Sequence, residues 1–289
     1  MLKKCLSLCF LTFFLTACGT DTVPLKKPQQ IVRKPKIALA LGGGTAKGFA
    51  HIGVIKVLER EGIEVDIITG TSAGSVVGSL YASGRNAAQL EQEALLLDEF
   101  NLADFTLSFK GLIKGEKLQN YINQKVGNRP IQNLPRKFAA VATELDNGKM
   151  VVFSRGNTGQ AVRASASIPN VFQPVLINGK SYVDGGLAAP VPVSAARQLG
   201  GQVVIAVDIS AKPKKGSEKG FLSIFDQMIN IMSMSALNSE LAKADVVIRP
   251  DISNLGSVNF NKRAEAILEG ERAAKKALPQ IRAALKNYR

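Results

Sequence analysis

The chain has 289 residues, 46% hydrophobic and 21% charged, with 37 Lys+Arg against 23 Asp+Glu and a formal net charge of +14. This balance describes a globular protein rather than a disordered one, and the length suits one large α/β domain. With one His and three Cys, all three near the N-terminus, most zinc and haem frameworks are excluded, and no apolar run reaches the 18 or so residues that span a bilayer.

In chain order, Met1 to Lys4 is positively charged, Cys5 to Leu15 is apolar, and Leu15-Thr16-Ala17-Cys18 follows. This is the layout of a secretory signal, and small residues ending in Cys resemble the bacterial lipoprotein box. The resemblance implies removal of residues 1–17 and diacylation of Cys18, and two acyl chains suffice for stable anchoring. Gly19 rather than Asp follows the Cys. The expectation is an exported, membrane-anchored lipoprotein, in the outer membrane facing the periplasm if the host is Gram-negative. Residues 18–36 read as the anchor and its tether, with Pro24, Pro28 and Pro35 against regular structure and Lys26, Lys27, Arg33, Lys34 and Lys36 as a basic run. Such a run is attracted to anionic head groups, or is a solvated spacer. No aromatic residues interleave with it, so nucleic acid is not an expected partner.

From position 37 strands and helices alternate. Ile37 to Leu41 is an apolar strand that stops at glycines, and residues 47–60 carry apolar side chains at helical spacing. Val65 to Ile68 is a second strand, followed by helices over 73–83, 86–98 and about 115–126. Phe138–Thr143 and Met150–Phe153 form a hairpin through Asp146-Asn147-Gly148, and Val175–Ile177 and Ser181–Val183 flank the turn Asn178-Gly179. Val203–Val207 and Val246–Ile248 are further strands, separated by the charged loop Lys212–Lys219 and a helix over 220–241. The last helix covers about 261–287, with Pro279 as a kink point. Short, continuously apolar strands alternating with helices predict a mainly parallel sheet sandwiched between helices.

Two strand-to-helix turns carry the chemistry. Gly70-Thr71-Ser72-Ala73-Gly74 is a Gly-x-Ser-x-Gly nucleophile elbow, whose tight turn lifts the Ser oxygen above the sheet and aims helix N–H groups at charge forming there. Gly42-Gly43-Gly44-Thr45-Ala46-Lys47-Gly48 fits neither the dinucleotide nor the P-loop pattern. It suits an oxyanion loop beside Ser72. The single His, His51, lies upstream in a helix pattern and reads as a packing or capping residue, so a Ser-His-Asp triad is disfavoured and a carboxylate must act as base. Asp184-Gly185-Gly186 closes a strand, where two glycines permit close approach.

Together with Arg163-Ala164-Ser165-Ala166-Ser167-Ile168-Pro169, these motifs stand in the order of the patatin-like phospholipase family, which the chain resembles over about 37–210. The resemblance implies a single catalytic domain over 37–289 of patatin type, related to the α/β-hydrolase architecture. It implies a serine acyl hydrolase, without metal or other cofactor, that cleaves fatty-acyl esters such as phospholipids. Ser72 would be the nucleophile and Asp184 the base, with Gly43, Gly44 and Thr45 as oxyanion loop. Lys47, Gly48, Gly70, Gly74, Gly185 and Gly186 would support loop and elbow. Thr45 departs from the family, which has a third glycine there. The same dyad also suits an acyltransferase, and the same fold a non-catalytic lipid-binding scaffold. Two outlying helices complete the chain. The apolar face of 220–241, with Phe221, Leu222, Phe225, Met228, Ile229 and Met232 and widened by Ile224, Ile231 and Met234, is expected to pack in the core. The basic face of 261–287 is expected to be solvated, with anionic lipid as the other reading.

Overall fold

The computed structural model describes residues 34–97, 113–210, 221–252, 255 and 260–288, with backbone alone for 221–230 and 260. The signal segment, Cys18, most of the tether and the loop Lys212–Lys219 lie outside the described residues, whereas the helix expected to reach 98 ends at Leu95, with Leu96 as its C-cap.

Strand β1 (Ile37–Leu41) is buried along its whole length because both faces are covered. The period of two divides its side chains. Ile37, Leu39 and Leu41 enter the larger core with Ile52, Ile55 and Leu58 of α1 (Ala50–Arg60), Val77 and Tyr81 of α2 (Ala73–Ala82) and Ile267 and Ile281 of α8 (Arg263–Asn287). Ala38 and Ala40 face a second cluster with Val193 and Ala196 of α6 (Val193–Gln198) and Leu241 at the end of α7 (Phe221–Leu241). The layers are helix, sheet, helix, as the alternation predicts.

Between these elements lie α3 (Ala87–Leu95), α4 (Glu116–Lys125) and α5 (Thr158–Ser165). The remaining strands are β2 (Ile67–Thr71), β3 (Lys137–Glu144), β4 (Met150–Phe153), β5 (Val175–Ile177), β6 (Lys180–Asp184), β7 (Val203–Val207) and β8 (Val246–Ile248). Among the described residues they form one sheet in the order β5-β6-β3-β2-β1-β7-β8, with β4 also paired to β3. The pairs of β1 with β2 and β7, of β2 with β3 and of β7 with β8 are parallel; those of β3 with β4 and β6, and of β5 with β6, are antiparallel.

The register on β3 sets up everything else. β2 pairs with residues 137–141 of β3, and β6 pairs with residues 142–144. β4 pairs with 140–143, overlapping both, so it occupies the opposite edge. β2 and β6 therefore share one edge of β3 and run toward each other. Thr71 ends β2 opposite Val141, and Asp184 ends β6 opposite Ala142, the next residue along.

Several boundaries differ from the sequence reading. β2 runs to Thr71 instead of ending at Ile68, because Gly70 and Thr71 are held in the ladder, Gly70 opposite Leu41 and Ala140, Thr71 opposite Val141. The first helix begins as a 3-10 turn, Thr45–Phe49, before α1. α5 and α6 have no counterpart in the sequence reading; both are short and lack a long apolar stripe. Pro279 lies inside α8, which runs unbroken from Arg263 to Asn287. The expectation that the 220–241 face packs in the core is corrected at Ile231, Met232 and Met234, all exposed, Met232 by 65%. Leu237 and Leu241 face the core instead, while the side chains of 221–230 lie outside the described residues. On α8, Arg272 pairs with Glu269, Lys275 with Glu271, and Arg282 with Glu61 just beyond α1, as a solvated face would.

α8 crosses α1 at backbone contact distance. A Cβ on Gly53 would run into the Ile267 carbonyl, and one on Gly270 into the Ala50 carbonyl. Among the described residues no helix is long and apolar enough to cross a membrane.

Candidate active site

Ser72 stands between β2 and α2 with φ 53° and ψ −123°, a left-handed conformation that costs an L-residue on the order of 1–3 kcal/mol. Its surroundings over-determine it. The Ser72 carbonyl accepts from Ser75 N–H at 2.8 Å and from the Ser75 hydroxyl at 2.7 Å, and the Ser72 N–H donates to Ser165 Oγ at 3.0 Å. Glycine is required on both sides by space. A Cβ on Gly70 would strike the Gly74 carbonyl, and one on Gly74 the Leu41 carbonyl. The elbow is thereby pressed against the end of β1.

The head-on meeting of β2 and β6 brings Asp184 to Ser72. Both side chains are buried. Asp184 N–H donates to the Ser167 carbonyl at 2.8 Å, its carbonyl accepts from Thr143 Oγ1 at 2.9 Å, and its Oδ1 accepts from Gly186 N–H at 2.7 Å. Burial pushes the carboxyl up to about 6; the Ser72 hydroxyl and the Gly186 N–H pull it partly back. Oδ2 is buried without a partner at strict hydrogen-bond geometry, so the Ser72 contact is a loose one. Catalytic hydrogen bonds are often slack without substrate.

The glycine loop lies beside the same serine, since a Cβ on Gly43 would sit 3.2 Å from Ser72 Cβ. The three loop residues expected to form the oxyanion hole are not equivalent. Gly43 N–H is committed to the Pro190 carbonyl at 2.9 Å and Gly42 N–H to Val207 O at 3.0 Å, so Gly43 contributes closeness and not a donor. Gly44 N–H has no partner among the described residues. Thr45 has φ 49°, a conformation that glycine adopts without strain and a β-branched residue does not. This explains physically why the departure from glycine falls at a sensitive point. Lys47 is buried in the 3-10 turn, and Gly48 lets that turn meet α2, a Cβ there falling 2.7 Å from Ala73 Cβ. Gly185 has the same function against the Val141 carbonyl, and Gly186 supplies the N–H to Asp184. Cys18 lies outside the described residues.

Two residues escaped the sequence reading as site residues. Ser165, at the end of α5, accepts the Ser72 N–H and donates its own hydroxyl to the Val141 carbonyl at 2.6 Å. Two positions on, the Ser167 carbonyl takes the Asp184 N–H. One short segment thus braces both members of the Ser72–Asp184 pair. Ser165 and Ser167 both lie in the Arg163–Pro169 stretch that carries the resemblance, and Asn157 caps α5 by accepting from Gln160 N–H at 2.8 Å. Arg163 reaches Gln119 Oε1 at 3.3 Å rather than an acid. Among the described residues no three His, Cys, Asp or Glu side chains gather as a metal site.

Chemically, the arrangement offers a strained hydroxyl, a buried carboxyl of raised pKa, and main-chain amides at the start of α2 and at Gly44. Comparison with known proteins finds similar chains. The family model described as Patatin-like phospholipase matches residues 39–197. An uncharacterized NTE family protein of Mycobacterium tuberculosis is 38% identical over 192 residues, covering 64% of this chain and 51% of that protein. Lysophospholipase NTE1 of Coccidioides immitis is 29% identical over 279 residues, covering 85% of this chain and 18% of that protein. The chain thus spans about half the length, or less, of these curated relatives. Among solved structures, VipD from Legionella pneumophila shares the fold with a TM-score of 0.60 at 14% identity, covering 89% of this chain and 67% of that one.

Proposed function

Because the chain belongs to the patatin-like phospholipase family, we propose that it is a serine acyl hydrolase acting on fatty-acyl esters of phospholipid or lysophospholipid type. The observation that carries the reading is the convergence of β2 and β6 on one edge of β3, which leaves the Ser72 hydroxyl beside the buried Asp184 carboxyl.

Asp184 accepts the Ser72 proton as Oγ attacks the ester carbonyl. The oxyanion is stabilised by Gly44 N–H and by the amides at the start of α2, where the helix dipole adds to the field. Protonated Asp184 returns the proton to the departing alkoxide, leaving an acyl-Ser72. It then takes a proton from water as the water oxygen attacks the acyl group, and gives that proton to Ser72 Oγ as the fatty acid leaves. A base with its pKa near 6 is mostly ionised at neutrality, ready to accept a proton, and is a stronger base than an ordinary carboxylate.

The test pairs a lipid panel with a fluorophosphonate probe. Wild type is expected to release free fatty acid and to be phosphonylated at Ser72, and Ser72→Ala to do neither while keeping its fold. A folded wild type that takes no label and releases no acid would overturn the reading in favour of a lipid-binding scaffold. Transfer of the acyl group to an added alcohol in preference to water would identify an acyltransferase on the same dyad.

The finer reading concerns place. We propose that Cys18 carries the lipid anchor and residues 19–36 a basic tether to the membrane surface, facing the periplasm from the outer membrane if the host is Gram-negative. Its support is the run from Met1 through Leu15-Thr16-Ala17-Cys18-Gly19.

A further inference from the structure

His51 is the chain's single histidine and completely buried, in the first turn of α1, and the proposed reaction gives it no role. Its Nε2 lies 2.8 Å from the Gly42 carbonyl oxygen. A carbonyl only accepts, so the ring is the Nε2–H tautomer. Its Nδ1 is then a buried acceptor with no partner. Leaving such an atom unsatisfied is unfavourable, and an apolar side chain of similar shape would fill the position without that penalty. Among the described residues, the one polar contact the ring makes is with the loop beside Ser72.

That contact completes a set. The Gly42–Gly43 peptide is held on both sides, its carbonyl by His51 and its N–H by the Pro190 carbonyl at 2.9 Å. One residue earlier, Gly42 N–H is held by Val207 at 3.0 Å. Gly42 itself is boxed in, since a Cβ there would lie 2.9 Å from both Val191 Cγ2 and the Val207 carbonyl. The next amide, that of Gly44, is the first in the loop without a partner among the described residues. Its direction depends on how the preceding peptide is turned. Without the His51 bond the Gly42–Gly43 peptide is held by the Pro190 carbonyl alone, and the Gly44 N–H is less tightly aimed.

We infer that His51 is a positioning residue for the oxyanion loop, its Nε2–H locking the Gly42 carbonyl so that the Gly44 amide is pre-aimed at the carbonyl under attack. The inference rests on the hydrolase reading of Ser72 and Asp184 and adds a residue to it. A neutral ring is well matched to this role, because burial lowers its pKa to about 4 and the donor is unchanged across the range in which Asp184 ionises.

The experiment compares wild type, His51→Phe and His51→Gln for kcat, KM, fluorophosphonate labelling rate and thermal midpoint. Gln can place an amide N–H where Nε2–H stands, and Phe fills the space without a donor. His51→Phe is expected to lower kcat and labelling rate together by roughly 10²-fold, the scale of losing one oxyanion donor, with KM nearly unchanged. His51→Gln is expected to recover most of both, whatever its thermal midpoint. A His51→Phe protein that labels at the wild-type rate overturns the inference. So does a His51→Gln protein as slow as His51→Phe, because that pattern belongs to packing. Should His51→Phe not fold, wild-type imidazole ¹⁵N shifts at pH 7 decide, the Nδ1–H tautomer overturning the inference and Nε2–H supporting it. Failure of wild type itself to label would instead remove the hydrolase reading and this inference with it.

Discussion

At Asp184 and His51, burial shifts two titrations in opposite senses for stability. Asp184 has a folded pKa of about 6 against an ordinary 3.8, so the folded state binds more protons than the unfolded one between those values. Its contribution therefore falls as pH rises through that window, and the charged form is a liability above it. Asp184→Asn keeps an acceptor for Gly186 N–H and removes the buried charge. It is expected to gain about 3 kcal/mol of unfolding free energy at pH 8 and almost nothing below pH 4, by denaturant titration at both pH values. The same variant should lose roughly 10²–10⁴-fold in kcat, as removal of a general base does. In wild type, kcat/KM is expected to fall tenfold per pH unit below about 6 as Asp184 takes its proton, and a rate flat from pH 7 to 4 would contradict its role as base. His51 runs the other way. Its folded pKa of about 4 lies below the ordinary 6.5, so stability is lost as pH falls between them, again by about 3 kcal/mol. The two slopes offset each other in wild type between about pH 4 and 6, and Asp184→Asn should uncover the histidine slope alone.

At the scale of elements, the elbow depends on contact between the start of α2 and the end of β1. Gly74→Ala forces a methyl into the Leu41 carbonyl and is expected to cost about 1–3 kcal/mol or more, with activity lost beyond the stability effect because the Ser72 backbone must shift. A thermal melt and a labelling assay on the soluble fraction check both. Strands β1, β5, β6 and β7 were legible because their apolar runs end at turn residues; Asn178 and Gly179 indeed have φ of 49° and 80° at the β5–β6 turn. Ser72 and Asp184 were legible through their glycines, which mark close backbone approach. What local pattern did not carry was non-local pairing. Nothing near Ser165 announces a hydrogen bond to a residue 93 positions away. Nor does the loop sequence say that Gly43 N–H is taken by Pro190 and Gly44 N–H is not. α5 and α6 were missed because eight and six residues hold too few apolar positions to display a helical period.

At the scale of the whole molecule, the proposed anchor Cys18 lies before the compact unit that begins at Lys34. Cys18→Ala is expected to move the protein from the membrane fraction to the soluble one while leaving kcat on a dispersed monomeric ester unchanged. Fractionation with a parallel esterase assay checks this, and continued membrane retention would count against lipidation at that residue. The helix crossing at Gly53 and Gly270 has a further consequence. The family match ends at 197, yet Gly42 is tied to Val207 of β7, and α8 grips α1, the helix that carries His51. The stretch matched by the family model is thus shorter than the stretch whose contacts brace the site. An excised fragment ending near position 200 would keep every motif residue and still lack the clasp that holds them in alignment.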